Sequence, residues 1–177
     1  MRMSVSQSSI SGQIPIRPDL LQFVRWRENL APDQPLSLPG HGAIATYITD
    51  LIAFARSLCP PEKAGGEPGV DVDRVHIVQL TARLRFEARP GLLDESFFLY
   101  ADLVAYYFNN FLAQHWREQV DAWSSVACFY TGMDRKDAIT DLYEVSGMAV
   151  FREVDSEIKS DYRLRAHRKL IMRRRGK

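Results

Sequence analysis

The end of the chain carries a block of basic side chains that could bind a polyanion. Residues 162–177 contain eight lysines and arginines and no acid, a net charge of +8. Residues 1–161 contain 15 basic and 22 acidic residues, a net charge of −7, so the +1 of the whole chain hides a strong asymmetry. A terminal block of like charge is typical of an interaction arm. The basic residues are Arg163, Arg165, Arg168, Lys169, Arg173, Arg174, Arg175 and Lys177.

Arginine dominates this block by six to two over lysine. The planar guanidinium group suits phosphates and base edges better than an ammonium group does. If residues 155–175 form one helix, that helix is about 32 Å long and its charges point in every direction around the axis, with no apolar stripe to pack on a core. We therefore predict that these eight residues bind nucleic acid. The alternatives are an arm that docks on an acidic protein surface and a purely solubilising end.

No arrangement of residues predicts catalysis. The sequence contains no GxSxG, HExxH or CxxC pattern and no nucleotide-binding fingerprint. Its two cysteines, Cys59 and Cys128, and its four histidines lack the spacing of metal ligands, so we predict no metal and no cofactor. A disulfide between the cysteines is compatible with the sequence but is not favoured by it. An enzyme whose site assembles from distant residues leaves no local pattern and stays an alternative.

Two clusters have both a chemical and a plain structural interpretation. The loop at residues 39–42 (PGHG) precedes a helix whose amides could bind phosphate, but it lacks the lysine and hydroxyl of a phosphate-binding loop, and a turn is favoured. Tyr106, Tyr107, His115 and Trp116 could stack on bases. Aromatic residues at helical spacing are more typical of a core, which is the interpretation we favour.

Helices predicted from hydrophobic periodicity cover most of the chain. Pro18 and Asp19 begin the first one, and a loop rich in proline and glycine follows at residues 31–42. The longest apolar segment, residues 94–123, predicts a core helix that other helices surround. Asp134 is a predicted N-cap for a helix that closes at Gly147. The predicted helices span residues 18–29, 43–59, 94–123, 134–146 and 155–175.

Two segments are ambiguous between helix and strand. Residues 71–89 keep helical spacing at some positions, but Leu80 to Glu87 also alternate as a half-buried strand would, and the length and the Asp73 start slightly favour a helix. Residues 124–132 (SSVACFYTG) predict a short strand or a buried turn. The fold class is therefore mainly α, with a strand or hairpin allowed near residues 75–88 or 124–131.

The last two predicted helices have the order of a helix-turn-helix. Their connection at residues 147–154 is longer than the usual three- or four-residue turn, and no short recognition helix is evident. We therefore favour a plain helical hairpin. Within the final helix, the order of charges predicts ion pairs of Asp155 with Lys159 and of Asp161 with Arg165.

The whole chain predicts a single-domain bundle of five or six helices. Residues 1–16 are expected to be a flexible leader, residues 17–154 the helical domain, and residues 155–177 a basic helix or arm. Asp102 and the polar residues near position 110 make membrane insertion of residues 97–116 unfavourable, so we predict no membrane span. We expect a cytoplasmic, non-enzymatic nucleic-acid-binding accessory or regulatory protein. The alternative is a protein-interaction or structural subunit, which includes a homo-oligomer.

Overall fold

The computed structural model describes residues 9–58 and 80–175, with side chains as far as His167. This part of the chain is mainly helical, with six helices and a small three-stranded sheet, which confirms the predicted fold class. The chain divides into two compact units, residues 1–113 and residues 114–177. They are taken in turn below.

The first unit is built on a sheet of three strands. These are β1 (Ile10–Ile16), β2 (Leu36–Leu38) and β3 (Ala82–Ala88), with β3 in the centre. β1 pairs antiparallel to β3, and β2 pairs parallel to it. Leu84, Phe86 and Ala88 are buried on one face of β3, while Arg85 and Glu87 between them are exposed. This alternation is the period of a half-buried strand.

The sheet corrects three predictions. β1 lies within the predicted leader, and its Ile14 and Ile16 are fully buried, so residues 10–16 are not flexible. β2 lies within the predicted loop. The slight preference for helix is wrong at residues 82–88, because the two-residue alternation of apolar side chains matches a sheet with one buried face. The Asp73 start of that predicted helix lies outside the described residues.

Three helices of the first unit begin at residues suited to a helix start. α1 (Pro18–Arg27) has proline in its first turn, and α2 (Ala43–Leu58) follows the glycine-rich loop. α3 (Glu95–Leu99) is capped by Asp94, whose carboxylate accepts hydrogen bonds from the backbone N–H and the hydroxyl of Ser96. The first two helices agree with the predicted ranges to within two residues.

α4 (Ala101–Thr131) is a 31-residue helix that continues from the first unit into the second. The single helix predicted for residues 94–123 is thus two helices, separated at Tyr100. The prediction of a short strand or a buried turn at residues 124–132 is wrong as far as Thr131, because these residues continue α4, and the hydroxyls of Ser124 and Thr131 donate to the carbonyl oxygens of Val120 and Ala127 one turn earlier. Those side chains are therefore satisfied inside a helix.

The second unit adds an antiparallel helical hairpin to the end of α4. α5 (Arg135–Val145) is capped by Asp134, and Gly147 ends it with a φ of 70°, as the sequence predicts. α6 (Val154–Arg175) returns along α5, so that Tyr143 meets Glu157 and Arg135 meets Asp161. These contacts confirm the helical hairpin. Among the described helices, including α4, none is long and apolar enough to cross a membrane.

Candidate nucleic-acid interface

The predicted binding residues begin on the exposed second half of α6. Arg163 and Arg165 are exposed, and neither forms an ion pair with a carboxylate among the described side chains. The neighbouring Tyr162 and Leu164 are 52% and 47% exposed, as expected for a helix with no core-facing stripe. The remaining six predicted residues, from Arg168 onward, lie beyond the last described side chain.

A buried ion pair fixes the base of this basic helix. Arg135 at the start of α5 donates from Nε and Nη2 to the two carboxylate oxygens of Asp161, both at 2.7 Å. Arg135 is 6% exposed and Asp161 is 7% exposed, so the pair lies out of solvent. Nη2 of Arg135 also lies 2.7 Å from Oδ1 of Asp121 on α4. One guanidinium therefore ties all three helices of the second unit together.

The two carboxylates of this cluster outweigh the effect of burial on the pKa of Arg135. The hydrogen bonds from Arg135 to Asp161 raise its pKa, burial opposes them, and Asp121 adds to the increase. Arg135 consequently stays charged at any pH at which the protein is folded. The ion pair predicted between Asp161 and Arg165 does not form among the described side chains, because the buried carboxylate faces Arg135 instead. Arg165 is exposed.

A second cluster holds the other end of the hairpin. The hydroxyl of Tyr143 donates to Oε2 of Glu157 at 2.8 Å, and Arg152 Nη1 lies 3.6 Å from the same oxygen. Burial, and then the charge of Glu157, raise the pKa of Tyr143, so the phenol stays protonated. The Tyr143 ring meets Trp116 edge-on, with centroids 5.4 Å apart. Buried groups of this kind hold α4, α5 and α6 in one arrangement.

A groove of about 310 Å³ lies between α4 and α6. Four carboxylates and two arginines border it, and two of the carboxylates, those of Asp121 and Asp161, are paired with Arg135. The charged lining residues are Arg117, Glu118, Asp121, Glu157, Asp161 and Arg165.

The last part of α4 has no charged side chain and carries two exposed aromatic rings. Residues 122–133 contain no Asp, Glu, Lys or Arg. Phe129 is 81% exposed and Tyr130 is 78% exposed, and their rings meet edge-on with centroids 5.0 Å apart. Sequence reasoning missed the pair because it assigned residues 124–132 to a strand or turn; the uncharged run was the available signal.

A second groove, of about 380 Å³, lies between α4 and α5 and is mostly apolar. Ala122, Trp123, Val126 and Met133 are among its lining residues. The indole N–H of Trp123 is buried and has no acceptor among the described residues. An N–H donor without an acceptor is costly in a dry environment. Trp123 therefore gives this groove one polar group that is not hydrogen-bonded by the described residues.

The other candidate sites predicted from the sequence do not develop. The side chain of Glu28 lies so close to Gly42 that a Cβ there would be 2.7 Å from a carboxylate oxygen, so an acidic group of the chain itself lies by the start of α2. Trp116 is fully buried, as a core residue is expected to be. Within the described residues, no group of three His, Cys, Asp or Glu side chains could hold a metal. Cys128 is a half-buried free thiol, and Cys59 lies outside the described residues.

Comparison with known families, curated proteins and solved structures gives no match for this chain.

Proposed function

We propose that this chain is a non-enzymatic nucleic-acid-binding accessory or regulatory protein that acts through the basic half of α6. The observation that carries the proposal is the exposure of Arg163 and Arg165 on a helix whose base is fixed by Arg135 and Asp161. A helix anchored at one end holds its charged side chains on a fixed backbone, which lowers the entropy lost on binding.

The distribution of charge supports an anionic macromolecule as the partner. From Asp161 to Arg175 the helix extends by about 21 Å, at 1.5 Å per residue, and no acid follows Asp161. A helix of that size can enter the major groove of duplex DNA or follow a phosphate backbone. The segment after Asp161 therefore carries no acidic side chain that could neutralise its own basic residues.

A salt titration of full-length protein on a fluorescent duplex tests the proposal. If about six phosphates are contacted, log affinity falls with log salt at a slope near −5, because each contact contributes about −0.9. The double variant Arg163→Gln, Arg165→Gln is expected to reduce the slope by about 1.8. A matched control is Arg83→Gln, Arg85→Gln, which removes the same charge from two exposed positions, also two residues apart, on β3.

The comparison of the two variants decides the result. A weaker slope for the α6 variant alone supports binding through α6. Equal slopes for both variants would show that only net charge matters, and salt-insensitive or absent binding by the unaltered chain would remove the proposal.

A second candidate function is supported by the apolar groove between α4 and α5. A protein partner that inserts an apolar side chain and offers an acceptor to Trp123 would complete it. Size-exclusion chromatography with light scattering, on the full chain alone, tests whether that partner is a second copy. A concentration-dependent dimer that Val126→Glu abolishes would favour this function, whereas a monomer at all concentrations would count against self-association.

A further inference from the structure

The exposed aromatic pair and the basic half of α6 lie toward the same end of the second unit. α4 and α6 both run antiparallel to α5, so they run in the same direction. Three sets of contacts place them level with each other: Trp116 and Glu157 both meet Tyr143, then Asp121 and Asp161 both meet Arg135, and then Ser125 and Arg165 border one groove.

Phe129 continues this series. It follows Ser125 by four residues, which places it on the same face of α4 and about 6 Å farther along the axis. Beyond Ser125 and Arg165, α4 has no charge as far as residue 133 and α6 has no acid to its end. The outer mouth of the groove thus combines the exposed Phe129 ring on α4 with the exposed guanidinium of Arg165 on α6.

We infer that this end of the second unit binds single-stranded nucleic acid, with bases stacked on Phe129 and Tyr130 and the phosphate backbone held by Arg163 and Arg165. The inference rests on the proposed function and names its substrate class. Positive charge follows a backbone, and aromatic faces stack on bases of any sequence. A surface with both features fits single strands better than duplexes, whose base faces are already stacked on one another.

The exposure of the two rings argues for an external partner of this kind. At 81% and 78% exposed, they contribute little to the core of the chain that carries them. Each ring has about 150–250 Å² of surface to bury, which is a large gain for a stacked base. Because the flanking residues 122–133 bear no charge, a polyanion approaches this surface without meeting a carboxylate of that segment.

The test compares single-stranded and duplex oligonucleotides of the same length on full-length protein. The variant Phe129→Leu, Tyr130→Leu removes both rings and keeps an apolar surface. Stacking on each base accounts for about a 5- to 150-fold change in affinity, so the variant is expected to bind a 20-nucleotide single strand at least fivefold more weakly. Duplex affinity and the salt slope are expected to stay unchanged, because stacking releases no counterions.

Two controls separate stacking from other effects. Phe151→Leu removes a 46% exposed ring at the start of the α6 segment and is expected to leave both affinities unchanged. Phe129→Tyr with Tyr130→Phe keeps two rings and is expected to bind as the unaltered chain does. Circular dichroism melts check that each variant folds, which the high exposure of both rings predicts.

The outcomes for the two proposals are distinct. Unaltered single-strand affinity in the leucine variant overturns the stacking inference and leaves binding through α6 intact, as does an equal loss on single strand and duplex. If the leucine variant instead turns an oligomer into a monomer with unchanged oligonucleotide binding, the aromatic pair is a self-association surface and the inference is wrong. If the unaltered chain binds neither oligonucleotide, the proposed function fails and the inference fails with it.

Discussion

Arg135 and Asp161 form a two-point ion pair between α5 and α6, with both N–O distances at 2.7 Å and both residues less than 10% exposed. The two residues are 26 positions apart in the sequence. Asp161 is the last acidic residue of the sequence, so the contact lies at the residue after which only basic charges follow. Most of the predictions below concern buried contacts of this type.

Breaking this ion pair from one side is expected to destabilise the protein strongly. Asp161→Asn or Arg135→Gln leaves one buried charge without its partner, which costs about 3–5 kcal/mol of unfolding free energy. Urea unfolding followed by circular dichroism measures the change. Lys136→Gln, at the exposed neighbouring position, is the control and should stay within about 0.5 kcal/mol of the unaltered chain. A loss below about 1 kcal/mol for both single variants would contradict the buried pair.

The cap of α3 predicts a dependence of stability on pH. Hydrogen bonds from Ser96, with burial opposing and Arg56 assisting, hold the pKa of Asp94 below its ordinary value of 3.8. A carboxyl with a lowered folded pKa stabilises the protein fully above its unfolded pKa, and the stabilisation disappears as the pH falls through the folded pKa. The destabilisation caused by Asp94→Asn is therefore expected to be larger at pH 7 than at pH 3. Chemical denaturation at the two pH values measures it, and an equal effect at both would refute the assignment.

Asn109 joins the end of β1 to α4 and is expected to be essential for that junction. Its Oδ1 accepts from the backbone N–H of Arg17 at 3.0 Å, and its Nδ2 donates to the carbonyl oxygens of Pro15 and Ala105 at 3.0 and 2.7 Å. Asn109→Ala leaves partly buried backbone groups unpaired, at about 1–3 kcal/mol for each group. Thermal melts should show a clearly lower Tm, while Asn110→Ala at the exposed neighbour should change little. Matching melts for the two variants would exclude this role.

Replacing Gly12 is predicted to be costly because a side chain at this position has no room, and not because of its backbone conformation. A Cβ at this position would lie 2.2 Å from the Cζ atom of Phe86, a fully buried ring on the paired strand. Gly12→Ala is expected to cost about 1–3 kcal/mol through overpacking. Adding Phe86→Leu should recover part of that loss, so the double variant is less destabilised than the sum of the single ones. Gln13→Ala, on the exposed face of β1, is the control; strict additivity in the cycle would argue against the clash.

The features that the sequence predicts correctly are local ones. Asp134 and Gly147 mark the ends of α5 because a cap and a left-handed glycine act within one turn of the chain. The start of α6 at Val154 lies within one residue of the predicted start at residue 155. The amphipathic face of α2 can be read from spacing alone.

The features that the sequence did not predict depend on distant partners. Ile14 pairs with Leu84 across 70 positions, so the strand at residues 10–16 has no local signal that distinguishes it from a leader. Arg135 and Asp121 could not be assigned to the base of α6 from charge spacing, which pointed to pairs within one helix. Phe129 and Tyr130 lie in the segment predicted as a short strand or a buried turn, whereas the structure continues α4 through both residues.

The anchoring of α6 at Asp161 also sets how Arg163 and Arg165 are oriented around the helix axis. One alanine inserted directly after Asp161 would turn Arg163 and Arg165 by about 100° around the axis and move them only about 1.5 Å along it. Total charge would be preserved, but each of these cations would face a different side of the second unit. The orientation of each basic side chain of α6 around the helix axis thus depends on a single buried carboxylate, that of Asp161.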